Sequence, residues 1–514
     1  MPLRQSRRSR WPNPRWRRLP AIILAAMLAA GVLLGPPGRP QTTYAQSSAG
    51  DAYAWAIGGA GADEARQVAF DGEGNLYVTG VFSAEADVSP GQETTILTSA
   101  GDTDIFLAKY DPLGRVIWAW SLGGPGADRA TQVAVDPLGN VYLAGGFTGA
   151  VDFAPGEPEA IVQAVGARTG FLAKYDPSGV MTWVSPLAVS GDDEVMSMAL
   201  DGIGNVVAAG LSGMSAQPGE PVGNQQGDAF VMRLDGNGSL VWSAILPTRS
   251  VGHGPVAVAV SPAGDVYLAV SYTGTVRVAL GANVVDATSA GEADVLVMKL
   301  TPVGGLGWFR SIGGPGADAP GMGGLTLDPD GNVLLTGSFG GSVDVAGDGA
   351  FVLDGQGQDD LFLISLDGDG AVRWAASIGG PGQDAGQRVV TDAARYVYVA
   401  GWFTGDPTTA PASDGRLLGG RGQGGATDAL LAKYTPDGQL AWARGFGGRG
   451  AGPEQSSLAT AALVDARGDV VLAGRFFGTD VDFDPDGGVA ILSSAGQSDA
   501  FVVRLGPSGS LVPR

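Results

Sequence analysis

Seven tryptophans set the period of this chain. Trp55, Trp118, Trp183, Trp242, Trp308, Trp374 and Trp442 follow one another at steps of 63, 65, 59, 66, 66 and 68 residues, each in the same local pattern. A sequence that repeats at a near-fixed interval builds one supersecondary unit many times, and those units must stack to bury their apolar faces. The period therefore decides the domain organisation, although 514 residues could otherwise divide into several unrelated domains.

Each repeat reads as four short strands. The first is apolar and small: QVAV at 132–135, SMAL at 197–200, AVAV at 257–260. A turn such as Asp136-Pro137-Leu138-Gly139 follows, in which proline presets φ and glycine accepts the positive φ that closes the turn. The second strand is NVYLAGGF at 140–147, matched by NLYVTGVF at 75–82 and YVYVAGWF at 396–403. After a variable stretch of about twenty residues comes the third, FLAKY at 106–110 and 171–175 or FVVRL at 501–505. Alternation places Phe106, Ala108 and Tyr110 on one face, with Leu107 and Lys109 on the other. A second turn, Asp111 to Gly114 in this copy, leads into the tryptophan strand. Two tight hairpins per repeat predict a four-stranded antiparallel meander.

The two ends of the chain choose between linear and radial stacking. The first recognisable strand, AYAWAIGG at 52–59, is a tryptophan strand with no partners before it. The last copy ends in GSLVPR, with Pro513 where tryptophan belongs. A linear stack would leave the N-terminal strand unpaired, whereas a ring pairs it beside residues 500–505 and removes an exposed edge. The expected fold is all-β: a seven-bladed β-propeller over residues 46–514, its ring closed by the N-terminal strand 52–58 completing the last blade.

The pattern D-x-F-x-A-K-Y-D-x-x-G-x-x-x-W, then G-G-x-G-x-D, then V-A-x-D-x-x-G-N-x-Y-x-x-G resembles the seven-bladed β-propeller repeat (SBBP) family of bacterial exported proteins, over nearly everything after residue 50. The resemblance implies a propeller scaffold on a secreted or surface protein and no shared catalytic residues. DPLGRVIW at 111–118 is also similar to the tryptophan-docking motif of pyrroloquinoline-quinone propellers, where the tryptophan packs on the adjacent blade. Here the motif is one residue shorter, there are seven copies instead of eight, and the cofactor-clamping cysteines are missing. The packing role carries over and the cofactor does not.

Residues 1–20 hold seven arginines and no acid. The apolar run 21–35 and the small residues Thr43 and Ala45 follow, which is the order of a secretory signal peptide spanning 1–45. Its removal takes away eight arginines and no acid, moving the formal charge from −21 to −29. Such a chain repels nucleic acid and anionic membranes. With no cysteine there are no disulfides, zinc–thiolate sites or thiol nucleophiles. The expected location is secreted or cell-surface, with the periplasm or an uncleaved signal anchor as alternatives, and the expected state is a monomer.

Three features are candidates for chemistry. An acid or histidine recurs at the start of each first strand: Asp63, Asp128, Asp193, His253, Asp318, Asp384 and Glu454. Seven such groups could ring one mouth of a central channel and hold a cation; alternatively each Asp bonds the amides of its own glycine-rich turn. Asp482, Asp484 and Asp486, followed by Gly487, resemble the opening of a calcium loop, but Ser493 stands where the bidentate glutamate of an EF-hand would be. The chain's four lysines, Lys109, Lys174, Lys299 and Lys433, share one repeat position with Arg233 and Arg504, which suggests either a structural cation or solvated decoration. The functional expectation is a non-enzymatic binding or scaffold module for a protein, glycan or cell-envelope partner, met by variable loops on one rim. The alternatives are a polysaccharide hydrolase or lyase with carboxylates in the central funnel, and a calcium-dependent adhesion module.

Overall fold

The computed structural model describes residues 53–512, except 90–93, 156–159, 190, 214–226, 251–253, 255, 282, 406–425, 449–454 and 487. Every regular element among these residues is a strand. Each repeat forms the expected meander. In the first, Glu64–Phe70, Leu76–Phe82, Asp104–Tyr110 and Val116–Leu122 lie in that order in one antiparallel sheet. The same arrangement recurs over 129–187, 194–250, 256–312, 319–378 and 384–448. A last sheet takes three strands from 456–505, and its fourth is Ala54–Gly59, antiparallel to Asp499–Leu505 with Trp55 opposite Val502 and Ile57 opposite Ala500. These sheets are called first to seventh below, and the strands of each are called inner, second, third and outer.

The turn chemistry explains why the strands break where they do. In Asp111-Pro112-Leu113-Gly114 the Asp111 carboxylate accepts the amides of Leu113 and Arg115 at 2.9 Å each, and Gly114 takes φ +79°. Asp136, Asp176, Asp201, Asp328, Asp367 and Asp465 repeat this Asx-type cap with their own turns. Each cap spares the turn amides from competing for the strand ladder.

Packing runs from sheet to sheet. Tyr77 and Leu107 of the first sheet share a cluster with Leu143 and Phe171 of the second. Tyr142 and Leu172 of the second meet Val206 and Phe230 of the third. Val471, Val502 and Trp55 of the seventh pack with Val78, Phe106 and Tyr110 of the first. The two faces of the third strand thus serve different neighbours, as the alternation predicts. Thr460 of the seventh inner strand also donates to the Ala65 carbonyl of the first at 2.6 Å. The architecture is all-β and of propeller type.

Five of the seven repeat tryptophans pin their sheet to the next by a hydrogen bond. Trp183, Trp242, Trp308, Trp374 and Trp442 donate their indole N–H to the turn carbonyls of Gly236, Pro302, Gly368, Pro436 and Pro507, at 2.9–3.3 Å. The rings cover the αL glycine of that turn so closely that a Cβ at Gly438 would stand 2.6 Å from Trp374. The lysine position is structural as well. Lys109 pairs with Asp71 at 3.2 Å, lies 5.0 Å from the Tyr77 ring centroid, and reaches the Pro177 carbonyl of the next sheet at 3.4 Å. Arg233 and Arg504 make the equivalent pairs with Asp201 and Asp465. The solvated reading therefore fails for these cations: all three are buried.

One feature differs from expectation. The stretch after the second strand carries a two-stranded hairpin of its own in several sheets, for example Glu85–Asp87 with Ile96–Thr98 and Ala150–Asp152 with Ile161–Gln163. These strands are only three residues long, too short for an alternation pattern to stand out. The N-terminal strand itself spans Ala54–Gly59 rather than 52–58.

Candidate functional site

Asp63, Asp128, Asp193, Asp318 and Asp384 occupy equivalent places, and each is buried. His253 and Glu454 lie outside the described residues. Asp63 accepts the Gly59 amide at 2.9 Å and the Ser83 amide at 3.2 Å. Asp128 takes Gly124 and Thr148, Asp318 takes Gly314 and Gly340, and Asp384 takes Gly380 and Thr404, at 2.8–3.2 Å. One oxygen caps the carboxylate's own glycine-rich turn, four residues back. The other reaches past the second strand of its own sheet. Asp193 holds Val189 and Gly191 instead. Amide donors surround these groups, an environment that suits carboxyl oxygens and opposes a cation.

A second set of acids, at the start of the third strand, faces the first. Asp104, Asp294, Asp360 and Asp499 are buried, and each has one oxygen, Oδ1, with no hydrogen-bond partner. Asp104, Asp294 and Asp360 press against Gly123, Gly313 and Gly379 of the outer strands, places where a Cβ has no room. Burial pushes Asp63 and Asp499 up to about 7, and the negative charge of Asp499 adds to the effect on Asp63. Burial likewise raises Asp318 to about 7 and Asp104 and Asp384 to about 6. Raised carboxyls often mark general acids. These are sealed from solvent and tied to backbone amides, so a glycosidic oxygen cannot reach them.

Asp482 is buried, and its Oδ1 accepts the amides of Asp484 and Ala490 at 3.0 and 3.1 Å. Asp87 and Asp152 do the same with amides two and eight residues on, so the motif belongs to the extra hairpin. Asp484 accepts the Asp486 amide at 2.8 Å. Among the described residues, no group of three or more acids or histidines is disposed to hold a metal ion.

What the sequence did not single out is the set of residues lining the space between the inner strands. A cavity of about 280 Å³ opens there, lined by residues from the second to the sixth sheets. Near the start of these strands Glu194 is buried and ion-paired to Arg129, with Arg168 at 3.4 Å, while Glu64 holds Arg66 at 3.1 Å and Arg475 at 3.7 Å. Deeper in, Gln67 donates to the Gln132 side-chain carbonyl at 2.7 Å, and Arg388 approaches the same oxygen at 3.5 Å. Gln67, Gln132, Ser197 and Arg388 are equivalent: each follows the bulge of its inner strand. The signal was present in the sequence as the copies' disagreement at this one position.

No protein-family model matches the chain. An uncharacterised WD repeat-containing protein of Acanthamoeba polyphaga mimivirus is 27% identical over 187 residues, which covers 32% of this chain and 14% of that protein. The chain thus aligns with only a small part of that relative's length. Among solved structures, puromycin hydrolase aligns over 88% of this chain and 53% of its own at 16% identity and a TM-score of 0.44. The WD40 domain of Neurospora crassa Pan2 aligns over 85% and 88% at 12% identity and a TM-score of 0.39.

Proposed function

We propose that the chain is an exported, non-enzymatic β-propeller of seven blades, closed by its N-terminal strand, that serves as a binding module for a protein partner. The pairing of Ala54–Gly59 with Asp499–Leu505, and the packing of the seventh sheet on the first, support the closed ring. Membership of the exported seven-bladed repeat family is part of this reading, with export carried by residues 1–45.

The observation that carries the function is at the turns. The backbone of the D-P-x-G turn is nearly invariant, with its glycine at φ +79° to +89° in copy after copy. Its third residue is free to vary. It is apolar and thrust into solvent at Leu113, Leu138, Ile203 and Val303, the last three 81%, 85% and 82% exposed. In other turns the same place holds Glu73, Asp330, Asp369 or Arg467. A rigid frame presenting variable side chains is what specific recognition needs. Aliphatic tips without aromatic platforms suit a protein surface better than a glycan.

A binding array of secreted proteins and glycans, probed with residues 46–514, tests this reading. Specific protein binding is expected, lost in Leu138→Ser/Ile203→Ser/Val303→Ser with an unchanged melting temperature. Binding to glycans alone, or protein binding indifferent to the triple substitution, would overturn it.

A further inference from the structure

The chain is rich in acids, 52 against 31 cations, and several of its buried and half-buried arginines are matched to them. Arg66, Arg129, Arg168, Arg233 and Arg504 each have a carboxylate partner. Arg388 does not: among the described residues its one polar side-chain contact is the 3.5 Å approach to Gln132 Oε1. It is half-buried in the wall of the 280 Å³ cavity, and burial pushes its pKa down to about 10. A guanidinium that lines a cavity with so few protein partners is a ready donor to an anion.

The surroundings are shaped for this side chain. The fifth inner strand departs from the small-apolar pattern of its counterparts and reads Gly321-Met322-Gly323-Gly324. Gly323 forms a parallel bridge to Arg388, and any Cβ there would collide with the guanidinium. Glycine at 323 and arginine at 388 are therefore two halves of one deviation from the repeat. Ser197 and Thr326 add hydroxyls to the lining, and the Ser197 oxygen accepts the Val258 amide at 3.0 Å. Met198, Val258 and Leu325 also line it.

We infer that this cavity is a binding site for a small organic carboxylate, held by the Arg388 guanidinium and the Ser197 hydroxyl with its apolar body against Met198, Val258 and Leu325. The planar fork of arginine matches a carboxylate bidentately, and among the described residues only one of its N–H groups meets a side chain, Gln132. The volume equals about nine waters at ~30 Å³ each, which admits an aromatic or short aliphatic acid. The site is separate from the turn rim, so the two proposals stand or fall independently.

The test is a thermal-shift and calorimetric titration of residues 46–514 at pH 7 and constant ionic strength, with benzoate and butyrate against benzamide and butyramide, and with inorganic phosphate. The carboxylates should raise the melting temperature saturably, and the amides should bind roughly 10- to 100-fold more weakly. Arg388→Met should abolish the carboxylate effect and melt no lower than the parent, since it removes an unbalanced charge. Equal effects of acid and amide, stabilisation by phosphate alone, no saturable response, or a response that survives Arg388→Met would each overturn the assignment. Should Arg388→Met fail to fold, the acid–amide comparison in the parent decides by itself.

Discussion

At the scale of single residues, the repeat is held by places where only one residue type fits. Gly438 has φ +80° and lies under Trp374, so alanine there meets both backbone strain and a ring 2.6 Å from its Cβ. Gly438→Ala should cost about 2–4 kcal/mol of stability, the sum of an αL penalty and overpacking. Gly368, two residues before the αL glycine of its own turn, has open space around it and no positive φ. Gly368→Ala should stay within about 0.5 kcal/mol of the parent. Chemical denaturation of both variants checks the pair, and similar costs would contradict this view of the turns. The seven tryptophans were legible as packing residues because they recur. Arg388 was not, because a pattern-based reading discards the residue that breaks the pattern.

At the scale of strands and sheets, the buried aspartates join ends that would otherwise fray, and they make stability depend on pH. Asp63, Asp104, Asp318, Asp384 and Asp499 are raised from 3.8 to about 6–7, with burial as the main cause. A raised carboxyl contributes stability that is complete below its unfolded value and lost as pH rises through the folded one. The loss here spans about pH 4 to 7. Asp71, Asp111, Asp201 and Asp465 are lowered: burial pushes each up, but the hydrogen bonds of their turns and nearby cations outweigh it. Their contribution fades as pH falls below the ordinary carboxylate range. The melting temperature should therefore rise as pH is lowered from 8 to 5 and fall again below about pH 4. Asp499→Asn, which mimics the protonated acid while leaving an oxygen for the Ala495 amide, should flatten part of the upper limb. A melting temperature that climbs from pH 5 to 8 would contradict the assignment. The sequence showed one acid of each pair at the inner strand. Its partner, at the head of the third strand, stands in the repeat pattern as the leading D of D-x-F-x-A-K-Y, but Thr169 replaces it in the second sheet and accepts the Val165 amide, so its pairing with the first acid did not show.

At the scale of the whole molecule, the order of strands was readable from hairpin chemistry, and the destination of the N-terminal strand from the mismatch between the two ends. Most of the extra hairpins were not, because two or three residues carry no period, although the fourth sheet's pair, Thr275–Leu280 with Asn283–Thr288, is six residues a strand; the Asp87, Asp152 and Asp482 caps betray others, and in sequence those look like a calcium loop. The central claim is that residues 54–59 are structural members of the sheet built mostly from the other end of the chain. In that place Trp55, Ala56 and Ile57 are fully buried. Removing them strips the outer strand from one sheet and opens the packing against its neighbour. The most direct measurement compares the melting temperature of residues 46–514 lacking 46–58 with that of the same chain lacking an equal length from residues 406–425, which separate Val397–Thr404 from Thr427–Tyr434 in the sequence. The account predicts a large loss of stability for the first deletion and a small one for the second; equal losses would contradict the closed ring.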